Sequence, residues 1–246
     1  MSGGVLNTRP REQARELTRL LTAAGFEVFE APAIQTVPAW DPAALQTVRK
    51  ALAEGEYAWV VLPSRNAGRL LVDDLAAGRT RVVCGASSAR ALSLKPEFAL
   101  ERFSASAAVE LMRPMLRPGQ AILIPRAADA SGELVAALQA LGANVHAPVA
   151  YRTVGVEPST LTEAATRLAN GSVKAVTVCS PSAITALLAA IPRTSLVASR
   201  LICLGATTAA AAREAGLRVD NVAETTMMAA LVDAVRATLM RPAVPV

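Results

Sequence analysis

The beginning of this chain reappears in its middle. Val5 to Val37 lies on Ile122 to Val154 without a gap, at a constant offset of 117 residues (Arg9 to Arg126), and 11 of the 33 pairs are identical. The shared residues include Leu6, Arg9, Glu16, Leu17, Leu21, Gly25, Val28, Thr36 and Val37, matched by Leu123, Arg126, Glu133, Leu134, Leu138, Gly142, Val145, Thr153 and Val154. An offset of that length exceeds the roughly 20 to 50 residues of a solenoid repeat. A chain of 246 residues with this self-similarity is read as two copies of one domain-sized fold. Two similar bodies joined by short links leave a cleft between them, and interdomain clefts are preferred sites for small molecules.

Both copies alternate short β-branched runs with longer helical ones. The first offers a strand at Val5-Leu6-Asn7, a helix from Pro10 to Ala24 with Ala14, Leu17, Leu20, Leu21 and Ala24 on one face, and a strand from Glu27 to Ile34. Helix Pro42 to Glu54, strand Ala58 to Leu62, a helix from Asn66, strand Val82 to Cys84, a helix from Ser88, an extended piece near Phe98 and helix Ala105 to Leu116 follow. The second copy repeats the order. It runs through strand Ile122 to Ile124, helix Glu133 to Leu141, strand Val145 to Tyr151, helix Pro158 to Asn170, strand Ala175 to Cys179 and a helix from Ser182. Strand Leu201 to Leu204, helix Thr208 to Ala215, strand Val219 to Val222 and helix Met227 to Leu239 complete it, and the tail Arg241 to Val246 is expected to fray. Strands separated by helices imply parallel sheets covered on both faces. Composition shifts at Gln35 to Asp41 and at Arg152 to Glu157, equivalent points that read as the interdomain links.

Composition narrows the chemistry. The 52% apolar content supplies two cores, no stretch nears the roughly 18 apolar residues that span a bilayer, and Met-Ser-Gly-Gly lacks the features of a secretory signal. A cytoplasmic protein with no membrane partner is expected. Cys84, Cys179 and Cys203 fit no zinc or redox spacing and read as buried thiols, while His146, the single histidine, reads as structural. The net charge of +5 is scattered, with 3% aromatics, so base-stacking nucleic-acid modules are disfavoured and a small polyanionic ligand fits better.

Ligands of open α/β sheets bind at the carboxyl ends of strands, so the strand-to-helix turns are the places to search. Six stand out: Thr8-Arg9-Pro10, Pro125-Arg126, Ser64-Arg65-Asn66, Ser180-Pro181-Ser182, Gly85-Ala86-Ser87-Ser88 and Gly205-Ala206-Thr207-Thr208. Each precedes a helix whose first amides are unpaired and carry partial positive charge. Any one of them, taken alone, reads as an ordinary helix cap. Six together suggest a ligand with several acidic groups held largely by main-chain amides. Neither GxxxxGK[ST] nor GxGxxG is present, so no nucleotide and no cofactor is expected. Tyr151 ends a strand just before the second link, where its phenol serves either as a general acid or as an amphipathic strand end. Its counterpart in the first copy is Ile34, and Tyr57, beside Trp59, reads as structural.

In this order the turns resemble those of the uroporphyrinogen-III synthase family. The resemblance runs through Val5-Leu6-Asn7-Thr8-Arg9-Pro10, Pro63-Ser64-Arg65-Asn66-Ala67, Val149-Ala150-Tyr151-Arg152-Thr153, Cys179-Ser180-Pro181-Ser182-Ala183, Leu204-Gly205-Ala206-Thr207-Thr208-Ala209 and Val222-Ala223-Glu224, nearly the whole chain. It implies a cofactor-free lyase of haem and tetrapyrrole biosynthesis that closes linear hydroxymethylbilane into a macrocycle while inverting ring D. It also implies a monomer, with room for a transient contact with the preceding enzyme of the pathway. Tyr151 matches the tyrosine thought to assist departure of the substrate hydroxyl. Ser180, Ser182, Thr207 and Thr208, with Ser64, Asn66 and Ser87 from the other domain, match substrate-binding turns, and Arg9 and Arg126 are candidate charge partners. Ala206 stands where the family commonly has proline, and Pro63 and Ser87-Ser88 replace the more usual threonines.

The implied fold is two flavodoxin-like, doubly wound parallel-sheet domains with a two-stranded link and a cleft. The copies exchange their first units, so that residues 1–36 join 156–246 and residues 40–150 form the second domain, with links near 35–41 and 151–157. A two-domain binding or sensor protein for a polyacidic ligand remains the alternative.

Overall fold

The segment Trp-Val-Val-Leu at 59–62 has no polar position to turn toward water, and all four side chains are fully buried. A strand of this kind requires cover on both faces of its sheet. The computed structural model describes residues 3–78 and 80–240, and the tail Arg241 to Val246 lies outside the described residues.

From the N-terminus, strand Gly4–Asn7 (β1), helix Arg11–Ala23 (α1) and strand Val28–Glu30 (β2) lead to Ile34–Pro38 (β3). The expected single strand from Glu27 to Ile34 is thus two strands, because Pro32 between them has no N–H for a ladder. Helix Pro42–Glu54 (α2) is capped by the Asp41 carboxylate, which accepts from the Ala44 N–H at 2.9 Å, and stopped by Gly55 at φ 74°. Strand Trp59–Leu62 (β4), helices Arg65–Gly68 (α3) and Val72–Ala76 (α4), strand Arg81–Gly85 (β5), helix Ala86–Leu92 (α5), strand Phe98–Leu100 (β6) and helix Ala105–Met112 (α6) follow.

Strand Ala121–Leu123 (β7), the short strand Arg126–Ala127 (β8), helix Glu133–Ala140 (α7) and strands Asn144–His146 (β9) and Val149–Gly155 (β10) come next. Pro148 separates the last two, as Pro32 does in the first copy. The helix expected from Pro158 opens as a 3-10 turn, Pro158–Leu161, before Thr162–Ala169 (α8). The chain ends with Val173–Val178 (β11), Pro181–Ala190 (α9), Arg193–Val197 (α10), Arg200–Cys203 (β12), Ala206–Glu214 (α11), Asn221–Val222 (β13) and Met228–Leu239 (α12).

The described residues group into two units, Met1–Gln35 with Thr153–Val246, and Thr36–Arg152. In the first, the sheet order is β13-β12-β11-β1-β2, all parallel. In the second it is β6-β5-β4-β7-β9, again all parallel. The two orders are equivalent, with β1 and β7, the matched strands of the two copies, one place from an edge. Yet β1 pairs with β11 of the second copy, Val5 opposite Ala175, and β4 of the first copy pairs with β7 of the second, Trp59 opposite Ile122. Strands β3, β10 and β8 form a separate three-stranded sheet in that order.

Alternation along the strands divides each unit into two cores, one on each sheet face. Leu6, Val176, Val178, Leu201 and Cys203 meet the helices α8 to α11, while Val5, Ala175 and Ile202 meet α1 and α12. In the other unit Val60, Leu62, Val82 and Cys84 face α2 to α5, and Trp59, Val61, Val83 and Ile122 face α6 and α7. Each sheet is covered on both sides, as the buried apolar residues on both faces of its central strands demand.

Candidate functional site

Within a parallel sheet every strand ends at the same edge, so adjacent strands present their following turns together. In the unit Thr36–Arg152, the neighbours β5, β4 and β7 bring Gly85 to Ser88, Ser64 to Asn66 and Pro125-Arg126 to one edge. In the other unit, β12, β11 and β1 do the same for Gly205 to Thr208, Ser180 to Ser182 and Thr8-Arg9.

Ser64 has extended backbone, φ −150° and ψ 162°, and its Oγ accepts from the Ala67 N–H at 3.4 Å, making it the cap of α3. The same Oγ lies 2.9 Å from the hydroxyl oxygen of Tyr151, 87 positions later in the chain. Tyr151 is in β10, opposite Ala127 of β8, and its carbonyl accepts from the Ala128 N–H at 2.9 Å. Its half-buried ring packs against the core formed by Leu62, Ala67 and their neighbours. Asn66 Nδ2 donates to Thr36 Oγ1 at 3.4 Å, while Asn66 Oδ1 is buried with no hydrogen-bond partner. Ser87 is exposed in the first turn of α5, whereas Ser88 is buried at 8% exposure.

Arg126 spends its guanidinium on main-chain carbonyls of its own turn and of the connection between β9 and β10. Nε donates to the Ala147 carbonyl at 3.3 Å, and one terminal nitrogen donates to the carbonyls of Ala127 and Ala130 at 3.4 and 3.3 Å. Arg9 is similarly engaged, through Nε to the Gln13 carbonyl at 3.1 Å, one terminal nitrogen to the Gln13 side chain at 2.9 Å and the other to Met228 Sδ at 3.3 Å. Both arginines shape the turns that carry them.

Ser180 caps α9, its Oγ accepting from the Ala183 N–H at 3.3 Å and lying 3.0 Å from Ser182 Oγ. Gly205 precedes α11 with φ 132°, a conformation that suits glycine, and gives α11 no side-chain cap. Thr207 is exposed in the first turn of α11 and Thr208 is buried beside it at 4% exposure. The first amides of α11 therefore face the turn without a capping side chain, as an anion would require.

Sequence reading missed the framework beneath these turns. Thr8 donates its hydroxyl to the Thr177 carbonyl at 2.7 Å, and Thr177 donates to the Leu6 carbonyl at 2.9 Å. Asn7 Nδ2 donates to the Ala14 carbonyl and to Thr18 Oγ1, and its Oδ1 accepts from the Arg9 N–H. Asn7, Thr8 and Thr177 are at most 1% exposed, and their partners include strands that the linear chain separates. Their only signal was a polar residue ending an apolar strand.

The thiols are free, with Cys84 and Cys203 buried and Cys179 half-buried. Burial raises the pKa of all three, to about 11 for Cys203. At Cys179 the neighbouring Arg9 guanidinium opposes burial without cancelling it. Tyr57 is occupied by His146, with its hydroxyl 2.6 Å from Nδ1 and the rings stacked at 6.0 Å. Among the described residues, no cluster of His, Cys, Asp and Glu could hold a metal ion, and no helix is long and apolar enough to cross a membrane.

Residues 15–233 match the family model described as uroporphyrinogen-III synthase HemD. A curated relative, the porphyrin biosynthesis protein HemD of Ruminiclostridium josui, is 25% identical over 241 residues, covering 93% of this chain and 47% of the relative. The chain thus spans about half the length of that relative. Among solved structures, uroporphyrinogen-III synthetase from Helicobacter pylori superposes with a TM-score of 0.61 at 17% identity, covering 96% of this chain and 99% of that one. A mutant uroporphyrinogen III synthase from Thermus thermophilus gives 0.55 at 16% identity, covering 98% and 100%. At these identities the likeness is one of fold.

Proposed function

Because this chain belongs to the uroporphyrinogen-III synthase family, matching its model over residues 15–233, we propose that it cyclises hydroxymethylbilane to uroporphyrinogen III. The observation that carries the proposal at the residue level is Tyr151. Its phenol stands at the carboxyl edge of a parallel sheet, anchored at backbone, ring and hydroxyl. The other tyrosine is committed to His146.

The Tyr151 hydroxyl gives its proton to the terminal hydroxyl of the substrate. The carbon–oxygen bond breaks, its electron pair leaves with water, and loss of the pyrrole N–H proton leaves a neutral azafulvene. Attack by the substituted carbon of ring D makes a spiro intermediate, which reopens and recloses with that ring inverted. Closure without inversion is spontaneous, so the work of the protein is to hold one geometry long enough for the inverting route to win. Ser180, Ser182, Thr207 and Thr208, with Ser87 and Asn66, contact the acetates and propionates through side chains and, at α9 and α11, through first-turn amides. Arg9 and Arg126 act one step behind, by shaping the turns. The protein works in the cytoplasm as a monomer, without a cofactor, with no nucleic-acid partner and with room for transient contact with the enzyme that supplies its substrate.

The test is to add purified protein to freshly prepared hydroxymethylbilane and resolve the product isomers. Isomer III as the main product supports the proposal. Isomer I alone, as in buffer, overturns it in favour of a binding protein for the same acidic ligand.

A further inference from the structure

We propose that Ser64 is a positioning residue for Tyr151, donating its hydroxyl proton to the phenol oxygen so that the tyrosine's own proton is free to be given away. This rests on the reading of Tyr151 as the acid that releases water. The two oxygens are 2.9 Å apart, and Ser64 Oγ also accepts from the Ala67 N–H. A serine hydroxyl has one proton and two lone pairs. With the amide on one lone pair, the hydroxyl keeps its proton and a second lone pair, and of the two possible directions only donation by Ser64 leaves the tyrosine's own proton for the substrate.

The direction of that bond has a catalytic consequence. When Tyr151 surrenders its proton its oxygen becomes anionic, and the bond from Ser64 becomes charge-assisted and stronger. An interaction that strengthens as charge develops lowers the barrier rather than merely binding the ground state.

The duplicated fold supplies an internal comparison. Ser180 caps α9 just as Ser64 caps α3, each accepting from the N–H three residues on. The hydroxyl of Ser180, however, meets Ser182 at 3.0 Å, and the position matching Tyr151 is Ile34, buried at 6% exposure. Capping therefore does not require a phenol. The serine-to-phenol bond exists in the one unit, Thr36–Arg152, where the matched position is a tyrosine.

The experiment measures kcat and KM for type III product with Ser64→Gly, Ser64→Thr, Tyr151→Phe and the Ser64→Gly/Tyr151→Phe double variant. Glycine is tolerated at a helix cap, so Ser64→Gly removes the hydroxyl with little effect on α3. The expected result is a fall in kcat of about tenfold with KM unchanged, recovery in Ser64→Thr, and no further loss when Ser64→Gly is added to Tyr151→Phe. If Ser64→Gly loses its cooperative melt, Ser64→Cys, with a similar volume and only a weak donor, carries the same expectation. A raised KM at constant kcat would overturn the proposal by showing direct substrate contact, as would an equal kcat loss in the Tyr151→Phe background or no recovery with threonine. Near-normal turnover in Tyr151→Phe would remove the acid role itself. Full activity of Ser64→Gly beside an impaired Tyr151→Phe would remove only Ser64.

Discussion

Thr8 donates its hydroxyl to the main-chain carbonyl of Thr177, 2.7 Å away and 169 positions later in the chain. Thr177 answers with its own hydroxyl on the carbonyl of Leu6, at 2.9 Å. This reciprocal bond fastens β1 to β11 at the edge from which the Arg9 and Ser180 turns emerge. It joins the first strand of one sequence copy to the middle strand of the other. Both side chains are essentially inaccessible to water, so a lost hydrogen bond here is not replaced by solvent.

Thr8→Val and Thr177→Val should each therefore destabilise the protein by about 1–2 kcal/mol while conserving shape. Thermal unfolding checks this, at roughly 2–4 °C per kcal/mol for a chain of this size. An unchanged midpoint for both would show that the bonds contribute nothing net.

Tyr151→Phe removes one oxygen from a ring otherwise held by its packing. Turnover should fall by about 100-fold or more, the usual scale of general acid catalysis, with an unchanged circular dichroism spectrum. Type III product formed at a near-normal rate would sink the assignment.

Thr207 and Thr208 offer a contrast between exposed and buried hydroxyls at the start of α11. Thr207→Val and Thr208→Val should each raise KM, by about tenfold for the loss of one hydrogen bond to a carboxylate. Steady-state kinetics on fresh substrate reads the effect, and a constant KM in both would remove α11 from the binding surface.

Arg126 donates to three carbonyls in different directions, which a lysine ammonium on a flexible stem cannot reproduce together. Arg126→Lys should lower the melting temperature along with activity. Loss of activity at constant stability would instead return Arg126 to direct charge pairing with substrate.

Cys203 has its thiol pKa raised by burial from 9.0 to about 11. A group whose folded pKa lies above its unfolded value contributes stability fully below the unfolded value and loses it as pH rises toward the folded one. Stability should therefore decline between about pH 9 and pH 11, and Cys203→Ala should flatten that slope in urea unfolding across the range. Below about pH 9 the native thiol should resist alkylation and react only on unfolding.

Much of the fold was legible because it rests on local rules. The all-apolar run at 59–62, the Asp41-Pro42 start and the Gly55 stop each identify an element from its own residues. Breaks within elements were harder. Pro32 and Pro148 each divide what the apolar pattern joins, since pattern records burial and not the missing N–H. The candidate site was legible as turns and as residue types. Its wiring was not, because Ser64 and Tyr151 meet only when the turn after β4 is brought against β10. Arg9 and Arg126 were candidate charge partners for the substrate in sequence, and the carbonyls that engage them are main-chain atoms that no residue letter records.

By itself the sequence determined that there are two copies of one α/β unit, the alternation of their strands and helices, and which family they belong to. Periodicity, caps and turn residues act over a few positions, and the 117-residue offset is arithmetic. The exchange of first units was implied only by the family resemblance; the residues of the copies offer nearly interchangeable strands, and it is long-range packing in the tertiary structure that pairs β1 with β11 and β7 with β4 and sets their register. That choice set the neighbours of every turn. Two serines with the same capping role thus acquired different partners, Ser182 in one unit and the phenol of Tyr151 in the other.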